Sequence, residues 1–177
     1  MDWTPLLDEI SGRLSGGTVP EGVQTEEQFE RQFVQPIVED CVASKHHLAT
    51  HPWTKPEMTK PYTAEHQKKI RIWRECKAWA NVTTWGMRHT LDMFIRDETS
   101  KECIAVEMKM CKVKTGKLPT GEFQRMIGQS VLFLAGENHK AVVSIFGVRG
   151  ISEPPVDKKM TAFLRSVGIW PVVRRVP

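Results

Sequence analysis

The stretch KECIAVEMKMCKV (101–113) constrains this chain more than any other, because it alternates with a period of two and its central residues 103–111 are charged on one face only. Ile104, Val106, Met108 and Met110 fall on one side of such a strand, and Ala105, Glu107 and Lys109 on the other. The preceding HTLDMFIR (89–96) also alternates. Asp97-Glu98-Thr99-Ser100 between them is a tight polar connection, so the pair reads as a β-hairpin. With the turn centred on residues 98–99, the numbers of facing residues sum to about 197, which sets Asp92 opposite Ala105 and diagonal to Glu107. Asp92, Glu107 and Lys109 then converge on one face. A slip of one residue would separate them.

That convergence has a chemical meaning. Two carboxylates held close together repel one another unless a cation sits between them. Magnesium suits the position because it takes hard oxygen ligands and retains several waters, and manganese is expected to substitute for it. The backbone carbonyl of Met108, between the two charged side chains of its strand, is a further oxygen ligand. Lys109 beside the metal would orient or help deprotonate an attacking water and offset charge growing on a phosphate. Glu-x-Lys by itself is a weak signal, since Glu75-Cys76-Lys77 repeats it and Asp157-Lys158-Lys159 is an Asp version. Those two fall on an expected helix and at a helix start, where a spacing of two does not share a face.

Around the hairpin the chain reads as a sheet with helices. Residues 11–25 (SGRLSGGTVPEGVQT) look like a loop after a short N-terminal helix. Thr25 is an N-cap candidate, with Glu26 and Glu27 in the first turn and Phe29, Phe33 and Ile37 as an apolar stripe. Pro36 removes a donor and is expected to kink that helix late. Residues 50–62 hold three prolines and exclude regular structure. The spacing predicts a basic, Trp-bearing helix over about 64–79 and a strand over 81–86. LPTGEFQRMIGQSVLFLAG (118–136) is a helix that stops near Gly136, and KAVVSIFGV (140–148) is apolar enough for a buried central strand. A helix near 156–166 and a strand near 169–175 follow. The crossover helix between 113 and 140 favours a parallel pair at the centre of the sheet.

With Thr90-Leu91-Asp92 and Glu107-Met108-Lys109 in this order, the sequence resembles the PD-(D/E)XK nuclease superfamily, Leu91 standing where that pattern has proline. The resemblance spans about residues 25–150 and implies a restriction-endonuclease-like α/β fold: an αβββαβ core with a mixed central sheet flanked by helices, plus a C-terminal αβ extension at 156–175. It implies one nuclease-like domain over 1–177, with residues 39–80 as an insert that matches nothing in the family. It also implies an acid on the helix before the sheet. TEEQFERQFVQPIV (25–38) is similar to the N-terminal helix of type I restriction-subunit nuclease domains, which favours Glu26 over Glu30, one turn on. A glutamine on the helix after the lysine strand is the last family feature. Gln124 and Gln129 both qualify, Gln124 being nearer the hairpin end.

The activity implied is magnesium-dependent hydrolysis of phosphodiester bonds, in DNA rather than RNA, by an endonuclease. The alternative is a catalytically silent module of the same fold that binds nucleic acid or serves as a subunit of a larger DNA-processing complex. A homodimer would bring two sites to two strands. Lys112, Lys114, Lys117 and Arg125 are candidate phosphate contacts, and Trp73 and Trp79 on the basic 64–79 segment are candidate stacking platforms. His46, His47 and His51 near Cys41 have no second close pair of the kind zinc needs. The net charge of +4 is mild and excludes little. Cys41, Cys76, Cys103 and Cys111 are too scattered for a zinc ribbon or redox motif, and read as reduced thiols. With neither a long apolar run nor a signal-like N-terminus, the expectation is a cytoplasmic protein with no membrane partner.

Overall fold

The computed structural model describes residues 2–46, 70–74, 82–84, 87–89, 92–97, 100–113, 120–136, 138–151 and 157–177. Its helices are α1 (Thr4–Gly16), α2 (Glu26–Phe29), α3 (Gln35–His46), α4 (Thr120–Leu134) and α5 (Lys158–Ser166), with a π-helical turn, Glu30–Val34, between α2 and α3. Its strands are β1 (Ile70–Arg74), β2 (Val82–Thr84), β3 (Met87–His89), β4 (Met93–Asp97), β5 (Cys103–Lys112), β6 (His139–Arg149) and β7 (Ile169–Val176). Five strands form a mixed sheet in the order β1-β4-β5-β6-β7. β4 is antiparallel to both β1 and β5, whereas β6 runs parallel to both β5 and β7. The α/β architecture with a mixed sheet and flanking helices is thus as expected, with the parallel β5–β6 pair at its centre.

Each face of the sheet has its own core. Ile104, Val106 and Met108 of β5 and Val143 and Ile145 of β6 pack with Leu6, Leu7, Ile10, Phe29, Phe33 and Val38. Phe146 and Val148 pack on the opposite face with Phe123, Met126 and Ile127 of α4. β6 is buried throughout Ala141–Val148, as its apolar run demands.

The helix that starts after Thr25 is capped reciprocally. Thr25 Oγ1 accepts from the Gln28 N–H, and Gln28 Oε1 accepts from the Thr25 N–H, each at 3.2 Å. The expected effect of Pro36 takes a specific form: the turn just before it widens, and the Gln35 N–H donates to the Glu30 carbonyl in a π-type bond. Phe29 reaches the sheet at Gly147, where an added Cβ would lie 3.1 Å from its ring. Only a residue without a side chain lets the aromatic ring settle that close.

Five expectations need correction. Residues 70–74 are a strand, not part of a helix over 64–79. IRIWR alternates, and its pairing with β4 (Ile72↔Ile95, Trp73↔Phe94) supplies partners that local propensity cannot foresee. Of the strand expected over 81–86, the described part Val82–Thr84 is not in the main sheet, because β2 pairs with β3 in a separate two-stranded sheet. That hairpin also divides the expected 89–96 strand, leaving Asp92 in a bend just ahead of β4. Residues 11–16 are helical rather than loop, since Leu14 completes the stripe of Leu6, Leu7 and Ile10, all buried. Lastly, the hairpin register sums to about 199, with Met93 facing Val106 and Phe94 facing Ala105. The Lys101 N–H donates back to the Asp97 carbonyl at 2.8 Å, so the turn sits one residue further along the chain. A shift of two in the sum preserves each side chain's face.

Candidate functional site

β5 is longer than its antiparallel neighbour. The β4 ladder closes at Met93↔Val106, while β5 continues to Lys112, paired among the described residues with β6 alone. The site lies on the edge beyond the β4 ladder. Extending the register by one step sets Asp92 directly across from Glu107, closer than the diagonal relation anticipated from the sequence. The Asp92 carboxylate accepts from the Met108 N–H at 2.8 Å. In return, the Asp92 backbone N–H favours the charged form of Glu107. A residue's N–H and C=O leave a strand on the same edge, so the Met108 carbonyl opens toward Asp92 as well.

Glu26 joins from the start of α2. Its Oε2 accepts from the Met110 N–H at 2.8 Å and lies 3.5 Å from Lys109 Nζ. Glu30, in the π turn, is buried. Asp92, Glu107, Lys109, Glu26 and Glu30, five of the residues singled out in the sequence, thus occupy one neighbourhood. No sequence signal pointed to the Met110 amide or to the Phe29–Gly147 contact that seats α2. These pairings span most of the chain.

The electrostatics of the two central acids are strained. Burial is the main cause that raises the carboxyl of Asp92 well above the ordinary carboxylate range, and the charges of Glu26 and Glu30 add to it. The Met108 N–H and Lys109 oppose the rise. Glu107 is raised further, first by burial, then by the charges of Asp92 and Glu26. Glu107 is 5% exposed, and its Oε2 is buried without a hydrogen-bond partner among the described residues. A buried carboxylate oxygen in that state carries an uncompensated desolvation penalty of roughly 1–3 kcal/mol or more. A divalent cation would relieve the repulsion and the unsatisfied oxygen together.

Magnesium often binds through one or two carboxylates, with water completing its shell. The pair Asp92 and Glu107 with the Met108 carbonyl fits that donor set. Among the described residues no group of three or more His, Cys, Asp and Glu side chains is gathered as a metal cage. Cys41, the described member of the Cys/His cluster weighed for zinc together with His46, has its Sγ 3.7 Å from Arg13 Nη1, and burial pushes its thiol up to about 11. His47 and His51 lie outside the described residues. Among the described residues Cys103 and Cys111 form no disulfide.

The other candidates divide. Gln124 is exposed and Gln129 half-buried on α4, and among the described residues neither hydrogen-bonds a site carboxylate. Arg125 is exposed and 3.7 Å from Glu122 of its own helix. Lys112 is exposed at the end of β5, directly opposite Arg149. Lys114, Lys117, Lys68, Lys69, Lys77 and Trp79 fall outside the described residues. No described helix is long and apolar enough to cross a membrane. Comparison with family models, with curated proteins and with solved structures gives no match for this chain.

Proposed function

We propose that this chain is a magnesium-dependent endonuclease acting on DNA, with the restriction-endonuclease-like core of the PD-(D/E)XK superfamily. The observation that carries this reading is the buried, mutually repelling pair Asp92 and Glu107. Glu107 Oε2 has no hydrogen-bond partner among the described residues, and Lys109 stands on the same strand. The order of helix, antiparallel hairpin, crossover helix and parallel strand around the pair supports that reading.

In this reading Asp92, Glu107 and the Met108 carbonyl hold the metal. When bound, it polarises the phosphoryl group and lowers the pKa of a coordinated water. The chain's own contributions are then distinct. Asp92 is fixed by the Met108 amide, so its carboxylate is oriented before any ligand arrives. Lys109 supplies a positive charge that orients the attacking water and offsets charge accumulating on the phosphate oxygens. Lys112 and Arg149 hold paired positions on neighbouring strands, and two cations so placed would favour an anion such as a nucleic-acid backbone across them.

The direct test is incubation of purified protein with single-stranded, double-stranded and branched DNA, and with RNA, in magnesium or manganese. Cleavage of DNA by the wild type and its abolition in Lys109→Ala, with the circular dichroism spectrum retained, is the expected result. No cleavage of any substrate would overturn the catalytic reading. DNA binding that persists in EDTA without cleavage would identify the silent module of the same fold, and preferential cutting of RNA would correct the substrate.

A further inference from the structure

Where β4 ends, the edge of β5 is completed by side chains. The N–H groups of Met108 and Met110 point to the edge that β4 no longer covers, and each donates at 2.8 Å to a carboxylate, that of Asp92 and that of Glu26 respectively. The two acids thus take the places a further strand's carbonyls would fill. They come from parts of the chain far from β5 and from each other, and they bracket Lys109. The same Glu26 oxygen that receives the Met110 N–H also faces the Lys109 ammonium at 3.5 Å.

Building on the nuclease reading, we propose that Glu26 is a positioning residue that fixes Lys109 beside the Asp92–Glu107 pair, and not itself a metal ligand. Its Oε2 already faces two donors, both of which a cation would have to displace. A partly exposed ion pair contributes little energy by itself. What gives this one directional value is that its carboxylate is anchored. The backbone bond to Met110 fixes one end, while the Thr25–Gln28 capping box and the seat of Phe29 on Gly147 fix the helix that carries it. Lysine is a flexible four-carbon stem with a point charge, so an anchored counter-charge narrows the positions its ammonium samples. Fixing a catalytic group in that way acts on the rate at saturating substrate.

The rival role is that of a third ligand, since the Glu26 charge is felt by both Asp92 and Glu107. Glu26→Gln separates the two. Its amide oxygen still accepts from the Met110 N–H, but the charge facing Lys109 is gone. The measurements are kcat and KM on DNA, the Mn2+ dissociation constant by calorimetry, and Tm. We expect kcat to fall at least tenfold, KM and the Mn2+ dissociation constant to change less than tenfold, and Tm to hold within a few degrees. Asp92→Asn, by contrast, loses Mn2+ binding. A Mn2+-soaked crystal of the wild type should show Glu26 still on the Met110 amide and outside the metal's coordination shell. Weakening of Mn2+ binding by more than tenfold in Glu26→Gln, an unchanged kcat, or Glu26 bound to Mn2+ in the crystal would each overturn this inference while the nuclease reading stands. A wild type that binds no Mn2+ and cuts nothing refutes the nuclease reading itself, and this inference with it.

Discussion

The two halves of β5 are built from the same alternating sequence but live under different rules. From Cys103 to Val106 the strand has β4 on one edge and β6 on the other, and every side chain is buried. From Glu107 onward no described strand pairs on the β4 edge, the Met108 and Met110 amides are satisfied by carboxylates, and burial fades from Lys109 to the exposed Lys112. The first half stores stability. The second holds charges that the protein alone leaves poorly compensated, and such arrangements persist where function requires them. A single strand thus couples a rigid base to a strained site, the relation that keeps catalytic geometry tight.

The comparison breaks most visibly at Glu107. In Glu107→Gln we expect cleavage to fall on the order of 10³-fold, because the pair that would hold the metal loses one of its two charges. Stability should move the other way. The carboxyl of Asp92 is raised in the folded state by burial and then by the charges of Glu26 and Glu30, and that of Glu107 by burial and then by the charges of Asp92 and Glu26. The folded protein therefore holds protons that the unfolded chain has released. The stability these groups confer is present below about pH 4 and is lost as pH rises through neutrality. Without metal, the wild type should show a falling Tm between about pH 5 and 8, and Glu107→Gln a flatter and higher curve. Manganese should raise the wild-type Tm at pH 8 and have little effect at pH 5. A wild-type Tm that rises over that pH range without metal would sink this account of the pair.

Ile104→Ala probes the other half. Ile104 is fully buried between Ile95 and Ala141, so the substitution should destabilise by about 2–5 kcal/mol through lost transfer energy and a residual cavity. Chemical denaturation measures it. The folded fraction should retain its specific cleavage rate, since no site group touches that position. A large loss of rate per folded molecule would mean that the two halves are not separable.

What the sequence made legible follows the same division. The alternation of 101–113 and the apolar run of 140–148 are local patterns, and both strands formed close to the expected bounds with the parallel pairing between them. Asp92 and Glu107 shared a face despite a misplaced turn, because the error was an even number of residues. Local pattern favours helix for β1 because its arginines and tryptophan sit in a long basic stretch, and it is the distant β4 that makes it a strand. The choice between Glu26 and Glu30 was equally beyond local pattern. Glu26 meets β5 across 84 residues of chain, through a backbone amide that carries no side-chain signature. Gln124 and Gln129 stayed undecided for a similar reason: the stripe Phe123, Met126 and Ile127 sets which side of α4 is buried but not what its polar flanks meet.

Gly147 lies where the two halves depend on one another, and its substitution should cost less stability than Ile104→Ala and less activity than Glu107→Gln. It pairs with Met110, the residue whose amide holds Glu26, and its missing side chain admits the Phe29 ring one turn beyond Glu26. A methyl group there would meet Phe29 at 3.1 Å and Val176 at 3.2 Å, each close enough that a neighbour must move by a few tenths of an ångström. Overpacking of this kind typically destabilises by about 1–3 kcal/mol, less than the cavity at Ile104. The displacement also travels along α2 to Glu26, so Gly147→Ala should lower kcat several-fold while leaving Mn2+ affinity near that of the wild type. Equilibrium unfolding and cleavage rates on the same preparation read both quantities. If stability falls while the rate per folded molecule stays at the wild-type value, the seat of Phe29 serves the core alone, and Glu26 keeps its position by the Met110 bond without help from the helix behind it.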